Sequence, residues 1–400
     1  MNVLFLLLTA PELESNPNLY TELIEEFRDK GHQVYAVAMD EKKHMRNSRL
    51  VHEEGIHKLY VRTGNFFNVS PIIKGITTAR IGYHFINAIK KFLPDIKFDL
   101  VLMPTPPITF ATVLGFLKKR DRAICYLILR DIFPQNAKDI GLMKNPFIFQ
   151  YFRSKEKKMY QTADYIGCMS QGNINYVLEH NPEVNKNKMR LLPNWARVQN
   201  KQDELQPQSP ALQKVAGDSF KCIFGGNIGW AQNLEFLIEL ADEVREYKDI
   251  IFIIAGSGVE KKKIQLLAEK KGLNNIVFMG NLTRSEYDSL VQNCNVGLIN
   301  LDRRFTIPNI PSKTTGYFNA EIPILASIDP NTDYGRILEE SGAGLWSVTG
   351  DMETYKSNLL YLYHNKDIAR GMGRKGKEYL SNNLTTEKAY WQIFEEINNR

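Results

Sequence analysis

Apolar segments of strand length alternate with amphipathic segments of helix length along nearly all of this chain, and that alternation admits few folds. NVLFLLL opens it, and residues 18–30 follow with Leu19, Leu23, Ile24 and Phe27 on one helical face. Gly31 supplies a helix stop before the next strand, QVYAVAM. LYVRT, a helix around Tyr83–Phe92, DLVLMP, a helix over Thr109–Lys118, ICYLILR, a helix through Arg153–Thr162 and DYIGCMS continue the series. Continuously apolar strands joined by helices through short connections need a parallel sheet covered on both faces. The fold class expected is α/β, doubly wound.

Pro193 and Asn194 close that series, and residues 199–217, QNKQDELQPQSPALQKVAG, are polar and irregular enough to read as a linker. The alternation then restarts with FKCIFGGN, a helix over Leu234–Arg245, IIFIIAGSG, a helix over Glu260–Lys270, NIVFMGN, a helix over Ser285–Asn293 and VGLINL. Two tandem Rossmann-like domains with an interdomain cleft are therefore expected, over residues 1–198 and 218–380. The last segment, 381–400, contains a helix over Glu387–Asn399 that is free to cross back to the first domain.

The apolar share of 43% and charged share of 24% describe a globular chain whose 400 residues suffice for two cores. Cys125, Cys168, Cys222 and Cys294 lie far apart in apolar runs, which reads as reduced thiols in a cytoplasmic protein. MNVLFLLLTA lacks a basic leader and runs into an acidic helix, so it reads as a buried first strand rather than a signal peptide. No apolar run reaches the roughly 18 residues that span a bilayer.

Charge is uneven. Residues 1–200 hold 28 basic against 19 acidic side chains, +9, and residues 201–400 hold 23 against 26, −3. Lys118, Lys119, Arg120, Arg122, Arg153, Lys155, Lys157 and Lys158 belong to the basic half. Two readings fit: solvated helix faces, or attraction to an acidic acceptor or an anionic membrane surface. No nucleic-acid-binding motif accompanies the charge.

The chemistry gathers in the second domain. Gly225-Gly226-Asn227-Ile228-Gly229, Gly256-Ser257-Gly258 and Gly280-Asn281 each end a strand, where glycine lets a backbone approach phosphate. Downstream, FTIPNIPSKTTGYFNAEIPILAS (305–327) reads as a loop barred from pairing by Pro308 and Pro311, a short helix capped by Ser312 or Thr314, and a buried strand. Lys313 beside free N–H groups makes an anion site. No G-x-x-x-x-G-K-[ST] loop occurs, which argues against P-loop hydrolysis. Neither a D-x-D sequence nor a metal cluster occurs, so a metal-independent reaction with no cofactor is expected.

GGNIG, FIIAGSG, NIVFMGNL with YDSLVQNCNVGLI, and PSK-x-x-x-Y before PILAS resemble the donor domain of a GT-B fold glycosyltransferase of family 4. LRDIFPQNA, DYIGCMSQGN and LLPNW of the first half fit the same family, so the resemblance covers nearly the whole chain. DIFPQNA and FTIPNIPSK resemble a subgroup acting in bacterial capsule and O-antigen assembly. The resemblance implies a retaining sugar transfer from a nucleotide-diphosphate sugar, of hexosyl or N-acetylhexosaminyl type. The implied acceptor is a polyprenyl-diphosphate-linked saccharide at the inner membrane face. It also implies a donor site of Gly226, Asn227, Gly229, Gln232, Gly256, Ser257, Gly258, Gly280, Asn309, Ile310, Pro311, Ser312 and Thr314.

The family pattern is kept only in part. Pro308 and Gly316 stand where two glutamates are usual, Asn227 and Gln232 near a usual Arg and Lys, and Arg130 or Asp131 in place of a histidine. Lys313, Arg130 and backbone donors are then expected to hold the leaving diphosphate. Asp131 is expected to orient the sugar or take the acceptor's proton, or else to cap the DIFPQNA helix. Asn16, Asn18, Thr105 and Pro106 are acceptor-side candidates; Asn16 and Asn18 equally read as helix caps and Pro106 as a turn. A sugar-nucleotide 2-epimerase on the same fold and a non-catalytic sugar-nucleotide-binding partner are the alternatives.

Overall fold

The structure is a computed structural model and describes residues 1–13, 17–67, 69–199, 215 and 217–398. It divides into two compact units, residues 1–193 with 386–400, and residues 194–385.

The first unit is built on eight strands: β1 (Asn2–Leu7), β2 (Gln33–Glu41), β3 (Arg49–Glu53), β4 (Ile56–Thr63), β5 (Leu100–Pro104), β6 (Ile124–Leu129), β7 (Tyr165–Cys168) and β8 (Met189–Leu191). They lie in the order β3-β4-β2-β1-β5-β6-β7-β8, all parallel except the β3–β4 pair. Leu4 pairs with Tyr35 on one side of β1 and with Val101 on the other. Val3 to Leu6 and Leu100 to Met103 are fully buried, as strands covered on both faces must be.

Six helices connect these strands: α1 (Leu19–Asp29), α2 (Pro71–Phe92), α3 (Ala111–Asp121), α4 (Gln135–Asp139), α5 (Pro146–Thr162) and α6 (Gln171–His180). The second and fifth run well upstream of the expected starts, because Pro71 and Pro146 sit in the first turn, where proline suits a helix.

The second unit holds a six-stranded, fully parallel sheet in the order β11-β10-β9-β12-β13-β14. Its strands are β9 (Phe220–Gly225), β10 (Ile250–Ala255), β11 (Ile276–Met279), β12 (Val296–Asn300), β13 (Ile324–Ile328) and β14 (Gly344–Val348). The helices are α7 (Leu234–Glu243), α8 (Lys261–Lys270), α9 (Arg284–Gln292), α10 (Thr314–Asn319), α11 (Tyr334–Ser341), α12 (Met352–His364) and α13 (Lys366–Asn383). From β9 the chain winds outward to β10 and β11, then returns to place β12 on the other side of β9. The strand order therefore reverses between β9 and β12, and ligands of such sheets bind beyond the strand ends at that point.

The second unit begins earlier than the expected 218. Asn194 Nδ2 donates to Ile310 O, Ala196 pairs with Thr385, and Gln199 N donates to Asn319 Oδ1. These bonds fix residues 194–199 to the unit that follows; most of the expected linker lies outside the described residues. The chain closes with α14 (Thr386–Asn398), which packs on the first unit. Tyr390 stacks edge-on to Phe27 at 4.8 Å, and its hydroxyl meets His32 Nε2 at 2.8 Å. Lys30 and Arg190 pair with Glu387 and Glu396.

Candidate active site

In the second unit the glycine-bearing strand ends form one backbone layer. Gly226 N donates to Ala255 O (2.9 Å), Ile228 N to Ser257 O (2.8 Å) and Glu260 N to Ile228 O (3.0 Å). Contact is so close that a Cβ on Gly256 would lie 2.0 Å from Gly226 O, and one on Gly258 2.2 Å from Ile228 O. Gly256, Ser257 and Gly258 thus build the floor under the loop after β9. Gly280, at the end of β11, stands in open space.

Lys313 reaches this layer from the other side of the strand reversal. It is the residue just before α10, and its Nζ sits 3.7 Å from the centroid of the buried Phe224 ring. The same Nζ lies 3.9 Å from where a Cβ on Gly226 would be. The residue is half-buried, and desolvation of the ammonium lowers its pKa to about 7. The aromatic face stabilises the cation, but a nearby anion would stabilise it far more.

Tyr317 holds α10 in place. Its hydroxyl donates to Ile223 O at 3.1 Å and stands 3.3 Å from Leu298 O, which joins the helix to β9 and β12, the two strands flanking the reversal. Gly297 makes room for the ring, since a Cβ there would lie 2.5 Å from it. The loop ahead is fixed from the β13–α11 turn: Asn331 Nδ2 donates to Phe305 O and Thr332 Oγ1 to Asn309 O. Buried Asp329 in turn accepts from the N–H groups of Asn331 and Thr332.

Several donor-side expectations need correction. Neither Ser312 nor Thr314 caps α10. The Thr314 hydroxyl donates to Pro311 O (2.8 Å) and meets Tyr334 OH (2.7 Å) in the interior, so it positions the loop and is not presented to a ligand. The Gly229 N–H is spent on Gln232 Oε1 (3.2 Å), which removes that donor and that acceptor together. Asn227 is exposed at the tip of the loop, and Ser312 is exposed, while Asn309, Ile310 and Pro311 are half-buried.

In the first unit the candidates gather at the carboxyl ends of β5 and β6. Thr105 is buried, and its hydroxyl accepts from the N–H groups of Arg130 (2.9 Å) and Asp131 (3.1 Å). It staples two strand ends and is corrected from an acceptor contact to a positioning residue. Pro106 is exposed beside it. Arg130 donates to Leu192 O (2.7 Å) and Pro193 O (3.2 Å), and burial lowers its pKa to about 10. A guanidinium committed to backbone carbonyls ties β6 to the exit of β8, so the phosphate role expected of Arg130 is corrected to a structural one.

Asp131 does not cap the following helix, which is preceded by Pro134 and has no side-chain cap. The residue is exposed overall, yet desolvation of its carboxyl by the surrounding protein raises its pKa to about 6. Asn18 caps α1 through Oδ1, accepting from Tyr20 N (2.9 Å) and Thr21 N (3.3 Å), and its own N–H donates to Thr21 Oγ1 (2.6 Å). That correction removes Asn18 from the acceptor set. Asn16 lies outside the described residues.

Two residues join the candidates on structural grounds. Tyr20, in the first turn of α1, is close enough to Arg130 and Asp131 to feel both charges, and desolvation raises its pKa to about 12. Lys261 donates to Gly256 O at 3.3 Å, bringing a second ammonium to the donor layer. Its place at a helix start after AGSG was a usable signal; Tyr20 follows a stretch with no distinguishing motif.

Two largely parallel sheets wrapped by helices, the second with its strand reversal beside a glycine-bearing backbone layer, define the GT-B class. Solved structures share this fold over the whole chain. They include a sucrose-phosphate synthase from Thermosynechococcus elongatus (TM-score 0.78, 14% identity, covering 100% of this chain and 99% of that one). HepE from Anabaena in complex with UDP is another (TM-score 0.71, 13% identity, 100% of each chain). Residues 207–379 match the family model described as glycosyl transferases group 1. WcaI of Escherichia coli K12, named for a glycosyl transferase of colanic acid biosynthesis, is 24% identical over 249 residues. That match spans 61% of this chain and 60% of the relative, less than two thirds of its length.

Proposed function

We propose that this protein transfers a glycosyl unit from a nucleotide-diphosphate sugar to a saccharide acceptor in bacterial surface-polysaccharide biosynthesis. The observation that carries the reading is the Lys313 ammonium, held against Phe224 and Gly226 at the strand reversal. A half-buried cation of lowered pKa beside a glycine loop is suited to a diphosphate. That HepE was solved with UDP, and that WcaI is named for colanic acid, supports the class of donor and product.

In this reading the bond between the sugar's anomeric carbon and the β-phosphate oxygen breaks, and negative charge grows on the departing diphosphate. Lys313 meets that charge, with Lys261 as a second cation; stabilisation accelerates the step because it strengthens as the charge develops. The acceptor hydroxyl bonds to the anomeric carbon and gives its proton to Asp131. Asn227, Ser257, Gly280 and the backbone of residues 309–312 are assigned to the donor, and Pro106 to the acceptor. Retention, a hexosyl or N-acetylhexosaminyl unit, a polyprenyl-diphosphate-linked acceptor and independence from metal and cofactor complete the proposal, on resemblance and the absent D-x-D sequence.

Incubation with a panel of nucleotide sugars and a lipid-linked saccharide tests it: label appearing in the acceptor supports transfer. Interconversion of the free nucleotide sugar, or binding without turnover, overturns it. Asp131 supplies a pH signature. With a pKa raised to about 6, its carboxylate forms only above that pH, so kcat/KM should climb through pH 6 and fall again above about 7 as Lys313 loses its proton. Asp131→Asn should lower kcat by about 10²- to 10⁴-fold and erase the acidic limb. Wild-type turnover in the variant removes Asp131 from the mechanism.

A further inference from the structure

The first unit exposes large apolar side chains that neither its core nor its candidate site uses. On α5, Phe147, Ile148 and Tyr151 are 84%, 49% and 47% exposed, and Leu142 in the preceding loop is 54% exposed. Helical spacing sets residues 147, 151, 155 and 158 on one face, opposite buried Glu156, Met159 and Tyr160. On α2, Ile73, Ile76 and Tyr83 are also exposed. Both helices pack against the same segment, Ile108–Phe110, and so lie on one side of the sheet. Each follows the carboxyl end of a strand, β4 for α2 and β6 for α5, so both start at the strand edge that carries Pro106 and Asp131.

Scattered exposed apolar residues are ordinary; a contiguous set framed by one sign of charge is not. Between Ile132 and Tyr160 the acidic side chains are Asp139 and buried Glu156, against Lys138, Lys144, Arg153, Lys155, Lys157 and Lys158. Arg153 and Lys157 pair with carboxylates, whereas Lys138, Lys144, Lys155 and Lys158 have no such partner among the described residues. The Lys138 ammonium lies 4.7 Å from the Phe149 ring centroid and that of Lys155 5.2 Å from Tyr151. Aliphatic stems along aromatic rings, with ammonium groups at the margin, suit the boundary between acyl chains and headgroups. Among the described residues no helix is long and apolar enough to cross a membrane, so contact of this kind is interfacial.

We infer that this face docks on a bilayer carrying anionic lipid. Leu142, Phe147, Ile148 and Tyr151 enter the headgroup region, while Lys138, Lys144, Lys155 and Lys158 meet lipid phosphates. The proposed transfer to a lipid-linked acceptor gives the docking its purpose, and the inference rests on that reading only there. Membrane binding is measurable without any substrate.

The test is co-sedimentation of the full chain with phosphatidylcholine vesicles, alone or with about 30% phosphatidylglycerol, a content that sets a strongly negative surface potential. The wild type should partition at least about tenfold better onto anionic vesicles, and less so as salt rises. Phe147→Ser with Ile148→Ser and Tyr151→Ser should cost about tenfold or more in partitioning. Lys144→Glu with Lys155→Glu should abolish the anionic preference. Circular dichroism should show both variants folded, and transfer to a short water-soluble acceptor should be unchanged. Equal binding to neutral and anionic vesicles, or variants that bind like wild type, overturns the inference. So does a dimer in light scattering that Phe147→Ser dissolves while vesicles are ignored, since the occupant is then a second copy. Vesicle binding as expected with no sugar transfer leaves the docking face standing and removes the catalytic reading instead.

Discussion

Lys313→Ala should lower kcat/KM for the sugar donor by about 10²- to 10³-fold, the scale seen when one charge-stabilising donor is removed from a transition state. Tyr317 anchors the short helix from beneath, and Thr314 ties it to Tyr334, so loss of the ammonium should leave the loop in place. The defect should appear mainly in kcat if the ammonium tightens on the leaving diphosphate, and mainly in KM if it grips donor and transition state alike. Lys313→Arg should restore only part of the rate, because a guanidinium spreads its charge over a planar fork in place of the compact ammonium held 3.7 Å from the Phe224 ring centroid.

The pH dependence of donor binding gives an independent readout. With a pKa of about 7 in the empty site, Lys313 is cationic below that pH and largely neutral above it. A bound diphosphate favours the cation, so binding above pH 7 must take up a proton. Donor affinity should therefore weaken with rising pH, by up to tenfold per unit above about 7, and binding should consume protons from the buffer. Lys313→Arg should flatten this dependence. Titration calorimetry in buffers of different ionisation enthalpy measures it directly, and a Lys313→Ala enzyme with wild-type kinetics would remove the residue from the site.

How much of this was legible in the sequence depends on where the information resides. The long apolar strands and the glycines at their ends are local signals, and β9, β10, β11, β12 and β13 stand where FKCIF, IIFII, NIVFM, VGLIN and PILAS place them. Short edge strands such as β3 and β8 carry little apolar pattern and passed unread. Site chemistry was legible as far as residue type, not as far as partner. Arg130 is the clearest case: an arginine at a strand end suggests phosphate, and only the carbonyls of Leu192 and Pro193 reveal where its donors go. Thr105, Gln232 and Thr314 failed in the same way, each being a polar side chain whose hydrogen bond is satisfied by backbone distant in the chain or around a turn. Lys313 went the other way. Its proximity to Gly226, 87 positions upstream, follows from the strand reversal, and the alternation of elements already implied that reversal.

Gly256→Ala should strongly destabilise the donor layer. Gly256 has φ +136°, a conformation side chains rarely adopt, and its new Cβ would fall 2.0 Å from the carbonyl oxygen of Gly226. Neither loop has room to yield. Gly226 N is bonded to Ala255 O on one side of the contact, and Ile228 N to Ser257 O on the other. Backbone strain of about 1–3 kcal/mol adds to the cost of prising the two loops apart, so a loss of at least about 3 kcal/mol is expected. For a unit of this size that lowers the melting temperature by roughly 6–12 °C. Gly280→Ala is the matched control, since Gly280 ends the neighbouring strand with nothing within 4 Å of the added methyl, and it should change stability by no more than about 0.5 kcal/mol. Donor affinity should follow the same contrast, because separating the loop after β9 from its floor also moves Gly226 away from the Lys313 ammonium. If the two alanine variants melt together, the close backbone contact is not what holds the donor layer, and the glycines there would owe their place to the ligand alone.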